Sequence, residues 1–167
     1  MTALTPNGFL RVGSSDLEYR MIGPPPSDAP TIVMLHEGLG CVGLWGDFPD
    51  RLQAATGVGV LVYSRAGYGA STPVQLPRPL DYMQIEALQV LPELLDRIGF
   101  RRGLLLGHSD GASIAAIYAG SRQDFRIAGL VLIAPHFFVE EMALTGAFGP
   151  EYTQYQRETK RLVPGIY

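Results

Sequence analysis

A single cysteine, Cys41, stands in a chain of 167 residues, so an internal disulfide and a thiolate metal cluster are both ruled out, and the compartment to expect is a reducing cytoplasm. Charge is also scarce: 17% of the residues are Asp, Glu, Lys or Arg, and the formal net charge is −3. Without a Lys/Arg run there is no basic footprint, and neither nucleic acid nor an anionic membrane is an expected partner. No stretch approaches the ~18 apolar residues of a membrane span, and residues 1–9 lack the basic segment and apolar run of a secretory leader. The three histidines, His36, His108 and His136, have no metal-ligand spacing among themselves or with carboxylates, so no metal is expected. No cofactor loop is evident either. A P-loop string is absent, and Gly67-Tyr68-Gly69 lacks the third glycine of a dinucleotide loop, Thr72 standing in its place.

What is present is hydrophobic and punctuated by glycine. With 47% hydrophobic residues, a chain of single-domain length can bury a substantial core. Loosely alternating segments at 9–12 and 17–21 flank the polar turn Gly13-Ser14-Ser15-Asp16, the pattern of an opening β-hairpin. A proline-rich break at 23–30 follows. Unbroken apolar runs then recur at 31–35, 58–63, 104–106 and 130–133. Runs of this kind predict strands covered on both faces, as in a parallel sheet. Helices are predicted between them at 44–56, 81–98 and 109–121. The long one carries Ile85, Leu88, Leu91, Leu95 and Ile98 on one face, Asp81 as its N-cap, and a kink at Pro92. The expected fold class is α/β: a three-layer, mostly parallel sheet joined by right-handed crossovers.

In open sheets of this kind, ligands bind beyond the carboxyl ends of the strands, and those positions are heavily loaded here. The run 104–106 leads into Gly107-His108-Ser109-Asp110-Gly111 and then into a small-residue helix. A strand that reaches a helix through one sharp G-x-S-x-G turn forms a nucleophile elbow, which strains the central residue and holds Ser109 Oγ out above the sheet. The Asp110 N–H would then point to where a carbonyl oxygen becomes an oxyanion. His36-Glu37-Gly38-Leu39-Gly40 follows the first buried strand, a turn spanning 64–71 follows the second, and Ala134-Pro135-His136 follows the fourth.

With these landmarks in this order, the chain resembles the α/β-hydrolase fold family over essentially its whole length. The family's H-G-x-G-type loop is matched at 36–40, its D-R-P-G-Y-G-x-S-type turn at 64–71 and its elbow at 107–111. Glu37 stands where the family usually has glycine, Ser64 for aspartate and Ala66 for proline. The resemblance implies Ser109 as nucleophile, with Asp110 N–H as one oxyanion donor and Gly38 or Leu39 as the other. Glu37, His136 and Phe137 are candidates to line the substrate pocket, and Trp45, Tyr68 and Phe138 could do so or could be core. His36 is expected to be structural, its hydrogen bonds positioning the oxyanion loop, and the His108 ring is expected to turn into packing. The Asp110 carboxylate either points to solvent or stabilises the helix N-terminus through the dipole, or it faces the pocket, where it would favour a substrate ammonium.

A serine hydroxyl needs a base, and the base needs an orienting carboxylate. In this family the chain order is Ser, then Asp or Glu, then His, on strands beyond a cap. After Ser109 the one histidine is His136, directly behind the next strand. Residues 137–147 and 151–162 read as two helices of the cap. The expected organisation is therefore an α/β-hydrolase core over 1–135, incomplete on its C-terminal side, and the beginning of a helical cap over 136–167. This is the pattern of an N-terminal piece of a protein of roughly 200 to 250 residues or more, and such a piece would self-associate or pair with its missing half. The expected function of the complete form is hydrolysis of a small ester or related acyl substrate through an acyl-enzyme, with the 167-residue chain itself inactive. The alternative is a non-catalytic binding or scaffold protein on the same fold.

Overall fold

In the computed structural model, which describes residues 4–136, the apolar runs form the centre of a six-stranded sheet. Its strands are β1 (Asn7–Val12), β2 (Ser15–Ile22), β3 (Thr31–Leu35), β4 (Gly59–Tyr63), β5 (Gly103–His108) and β6 (Ile127–Ile133), in the spatial order β1-β2-β4-β3-β5-β6. The opening hairpin is antiparallel, and β2 joins β4 antiparallel. The pairs β3/β4, β3/β5 and β5/β6 are all parallel. The chain enters at β3, steps to β4 on one side and then crosses to β5 on the other. The order reverses there, and in open sheets of this kind ligands bind at such a switch point, outside the carboxyl ends of β3 and β5. The pairing Leu35↔Gly107 brings the loop after β3 and the turn after β5 out side by side.

Both faces of the central strands are covered, and their side chains sort by strict alternation. Val33, Leu35, Leu61, Tyr63 and Leu105 pack on one side with Leu91, Leu94, Leu95, Ile114, Ala115 and Tyr118. Ile32, Met34, Val60, Val62 and Leu106 pack on the other with Leu52, Val42 and Trp45. This period of two in a continuous apolar run is what a strand between two helical layers requires. The layers come from α1 (Phe48–Thr56) on one face, and from α2 (Tyr82–Ile85), α3 (Leu91–Arg97) and α4 (Asp110–Ser121) on the other.

Two helices differ from the sequence expectation. The helix predicted over 44–56 divides into a tight turn, Val42–Trp45, and α1, because Gly46 takes φ 57°. Pro49 then falls in the first turn of α1, where its missing N–H costs nothing. The helix predicted over 81–98 is continuous only through a π-helical turn, Glu86–Val90, just before Pro92. Proline cannot donate to the Leu88 carbonyl four residues back. Arg122 Nη2 donates to that carbonyl instead, at 3.0 Å. Asp81 sits at the N-cap of α2, but its side chain makes no capping bond there.

The edge strand β6 also departs from expectation. Its apolar run suggested cover on both faces, yet Leu130, Val131 and Ile133 are 36%, 40% and 41% exposed. Among the described residues β6 pairs only with β5, so its outer edge and much of its apolar surface stay open. The chain divides into two compact units, Met1–Pro135 and His136–Tyr167, and the two helices expected over 137–147 and 151–162 lie outside the described residues. Among the described residues no helix is long and apolar enough to cross a membrane.

Candidate active site

Ser109 is the junction between β5 and α4, and its backbone has φ 54° and ψ −117°. That left-handed value is rare for a residue with a Cβ and costs on the order of 1–3 kcal/mol, so the surrounding structure must hold it. Three backbone bonds do so. Ser109 N–H donates to Ile133 O at 2.8 Å, and Ser109 O accepts from Ala112 N–H at 2.9 Å and Ser113 N–H at 3.1 Å. The flanking glycines are demanded by contact. A Cβ on Gly107 would lie 2.4 Å from the backbone of Gly111 and Ala112, and one on Gly111 would lie 2.1 Å from Leu35 O. The G-x-S-x-G spacing therefore lets α4 start directly against β3 and β5, which lifts Ser109 to the rim, half-buried.

The loop after β3 forms the second wall. Its Glu37 carbonyl accepts three hydrogen bonds: from His36 Nδ1 at 2.7 Å, Arg65 Nη2 at 3.0 Å and Gly40 N–H at 3.1 Å. His36 Nε2 accepts the Arg65 backbone N–H at 3.0 Å, so the ring proton sits on Nδ1. Burial, with the Arg65 cation beside it, lowers the His36 pKa to about 3. A neutral imidazole is then part of the scaffold, in agreement with the structural role expected of it.

The two candidates for a second oxyanion donor differ. Leu39 N–H donates to Glu37 Oε2 at 2.6 Å, and the Leu39 side chain is 84% exposed. That amide is occupied by the side chain that replaces the family's glycine. Gly38 lies against the start of α4: a Cβ on it would be 3.0 Å from Asp110 Oδ2.

The Asp110 side chain does not face solvent; it stands in the first turn of α4, where a carboxylate complements the helix dipole, one of the roles expected of it. It is 9% exposed, it accepts from Tyr82 Oη at 2.5 Å, and its Oδ2 lies 4.0 Å from Arg65 Nη2. The carboxylate is thus turned inward onto a phenol and a guanidinium, not outward to solvent. Its backbone N–H is at the first position of α4. Beneath this wall, the Arg65 side chain is fully buried. Its Nε, Tyr63 Oη and Glu86 Oε2 are buried polar atoms with no hydrogen-bond partner. Burial raises the pKa of both Tyr63 and Glu86.

Of the remaining candidates, Trp45 stacks on Phe48 and meets the His108 ring edge-on at 6.4 Å, which puts His108 in packing as expected. Tyr68 lies under the Arg65 and Arg78 guanidinium groups and against His36. His136 opens the second unit, and Phe137 and Phe138 lie outside the described residues. Among the described residues no group of three His, Cys, Asp or Glu side chains could hold a metal ion. Sequence reasoning gave no role to Arg65 or Tyr82. The available signal was an arginine two residues after the apolar strand 58–63, where a charge is costly unless something nearby requires it.

The comparisons with known proteins agree with this architecture. The model of the Alpha/beta hydrolase family matches residues 32–165. The human (Lyso)-N-acylphosphatidylethanolamine lipase is 29% identical over 117 residues, which are 70% of this chain and 33% of that protein. A 2-hydroxy-6-oxononadienedioate/2-hydroxy-6-oxononatrienedioate hydrolase of Pseudomonas putida is 30% identical over 163 residues, 95% of this chain and 51% of that protein. Among solved structures, a membrane phospholipase A described as a bacterial virulence factor superposes with TM-score 0.67 at 25% identity, covering 80% of this chain and 40% of its own. The chain thus spans between a third and about half of the length of these curated relatives. The ordered landmarks, the sheet with its switch point and the family match over most of the sequence lead to one assignment: this chain belongs to the alpha/beta hydrolase family.

Proposed function

We propose that this chain carries the nucleophile and oxyanion-binding part of a serine hydrolase acting on a small ester or related acyl substrate. One observation carries the reading: Ser109 occupies a strained bend between β5 and α4, at the sheet's switch point, with φ 54°. A hydroxyl held at such a rim can reach a bound carbonyl, whereas the same serine within a helix could not. In the proposed reaction Ser109 Oγ bonds to the carbonyl carbon while its proton passes to a general base. The carbonyl π electrons move onto oxygen, and the resulting oxyanion accepts hydrogen bonds from Asp110 N–H and Gly38 N–H. The carbon–leaving-group bond then breaks, the leaving group departs with the electron pair and a proton, and water later hydrolyses the acyl-Ser109. None of the described residues is assigned as the base. The family order places it after the acid on a later strand.

Relatives named as a lipase, a phospholipase and a dienedioate hydrolase do not narrow the substrate further than this. A second reading, a binding protein without turnover, is favoured by Glu37. Its carboxylate occupies the Leu39 N–H and puts negative charge on the loop that would face the oxyanion. A fluorophosphonate that labels Ser109 and leaves Ser109→Ala unlabelled supports the hydrolase. A full-length protein that carries an acid and a histidine on later strands, folded yet unlabelled at Ser109, refutes it and leaves the binding reading.

A further inference from the structure

The one fully buried guanidinium of the described residues lies between the two walls of the proposed oxyanion site. Arg65 Nη1 donates to His36 O at 2.6 Å and Nη2 donates to Glu37 O at 3.0 Å. The same Nη2 lies 4.0 Å from Asp110 Oδ2, at the first residue of α4. Its guanidinium carbon also lies over the Tyr68 ring, 5.2 Å from the ring centre. A buried cation held mostly by neutral carbonyls is an expensive way to stabilise a fold. An apolar residue of similar volume would fill the space without the desolvation cost. What the guanidinium supplies and an apolar side chain could not is direction.

The direction concerns one peptide unit. The cis bond found among the described residues is Leu76–Pro77, so the Glu37–Gly38 peptide is trans, and its C=O and N–H point opposite ways in one plane. Fixing the Glu37 carbonyl therefore fixes the Gly38 N–H. The carbonyl is fixed threefold, by Arg65, by His36 and by Gly40. His36 is itself held by the Arg65 backbone N–H, so two of those three donors depend on residue 65. Arg65 also sits beside the Asp110 carboxylate that Tyr82 anchors, so it ties the loop to the helix that carries the other donor.

We infer that Arg65 is a positioning residue for the oxyanion site: it aims the Gly38 N–H and sets its place relative to the Asp110 N–H. The inference rests on the reading of Ser109 as an acyl-accepting nucleophile, and the experiment separates the two. Acylation of Ser109 is followed with a p-nitrophenyl ester and with its thiono analogue, in which sulfur replaces the carbonyl oxygen. A thiolate is a poor hydrogen-bond acceptor, so the thiono reaction gains little from aimed N–H groups. Deleting an oxyanion donor outright costs about 10²–10³-fold; mis-aiming one should cost about 10- to 100-fold. Arg65→Met is expected to slow the oxo ester by that factor, to change the thiono ester less than about 3-fold, and so to lower the oxo/thiono ratio about 10-fold. Arg65→Lys, able to reach one carbonyl at a time, should restore part of the ratio. Equal slowing of both esters would mark a general structural role and overturn the inference. All of these rates are read on the full-length protein, where failure of wild-type Ser109 to acylate would instead overturn the hydrolase reading.

An NMR measurement on the wild-type protein keeps the inference testable if the variants do not fold. The Arg65 Nη protons should exchange slowly and show scalar coupling across hydrogen bonds to the His36 and Glu37 carbonyl carbons. Rapidly exchanging, uncoupled Nη protons would overturn it.

Discussion

Two glycines of the same helix are expected to respond to alanine with opposite signs. Gly111 opens α4 and Gly120 lies near its end. A Cβ on Gly111 would meet Leu35 O at 2.1 Å, Leu35 C at 2.5 Å and His36 O at 2.7 Å; one on Gly120 would meet nothing within 4 Å. A tolerable C···O approach is about 3.3 Å, so α4 and β3 must part by ~1 Å in Gly111→Ala. The obstacle is backbone in the middle of a sheet and cannot rotate aside. Overpacked cores lose about 1–3 kcal/mol and sometimes more. With a carbonyl as the obstacle we expect the top of that range, about 3 kcal/mol. For a chain of this size that is a fall in Tm of about 10 °C. Gly120→Ala keeps the propensity gain without the clash and should be more stable by about 0.5–1 kcal/mol. Urea unfolding followed by far-UV circular dichroism measures both. A Gly111→Ala protein within about 0.5 kcal/mol of wild type would show that α4 does not abut β3 as described, and the account of the elbow would fail with it.

Ser109→Gly should raise stability by about 1 kcal/mol by relieving the positive φ, a gain that Ser109→Ala, which keeps the Cβ, should not show. A destabilised Ser109→Gly in the same urea titration would contradict the strain. His36 links stability to pH. Its folded pKa of about 3 lies below the unfolded value of 6.5, so the unfolded chain takes up the proton first. The contribution is complete above pH 6.5 and is lost as pH falls toward about 3, with a slope of up to ~1.4 kcal/mol per pH unit. The His36 ring resonances should not titrate between pH 8 and pH 4; a midpoint near 6.5 would refute the buried, neutral imidazole.

Much of the fold could be read from the chain because its signals are local. Apolar runs at 31–35, 58–63 and 104–106 became β3, β4 and β5 with cover on both faces, since only a strand between two layers tolerates an uninterrupted hydrophobic run. Pro92 announced the disturbed helix, but not the form it took, a π-helical turn, nor that Arg122, just past the end of α4, donates to the Leu88 carbonyl. Gly46 and Pro49 marked the break between the turn Val42–Trp45 and α1, but apolar periodicity across the break concealed it.

At the site, the sequence alone determined the bend at Ser109, because the turn needs glycine two residues to either side and nothing else satisfies those contacts. Tertiary structure decided the rest. The Glu37 carboxylate bonds the Leu39 N–H, Asp110 turns inward to Tyr82, and Arg65 reaches across to the loop after β3. Whether an amide is available or a carboxylate exposed depends on which distant groups arrive within about 3 Å of it. That is fixed by the packing of strands and helices far apart in the chain, which residue spacing does not encode.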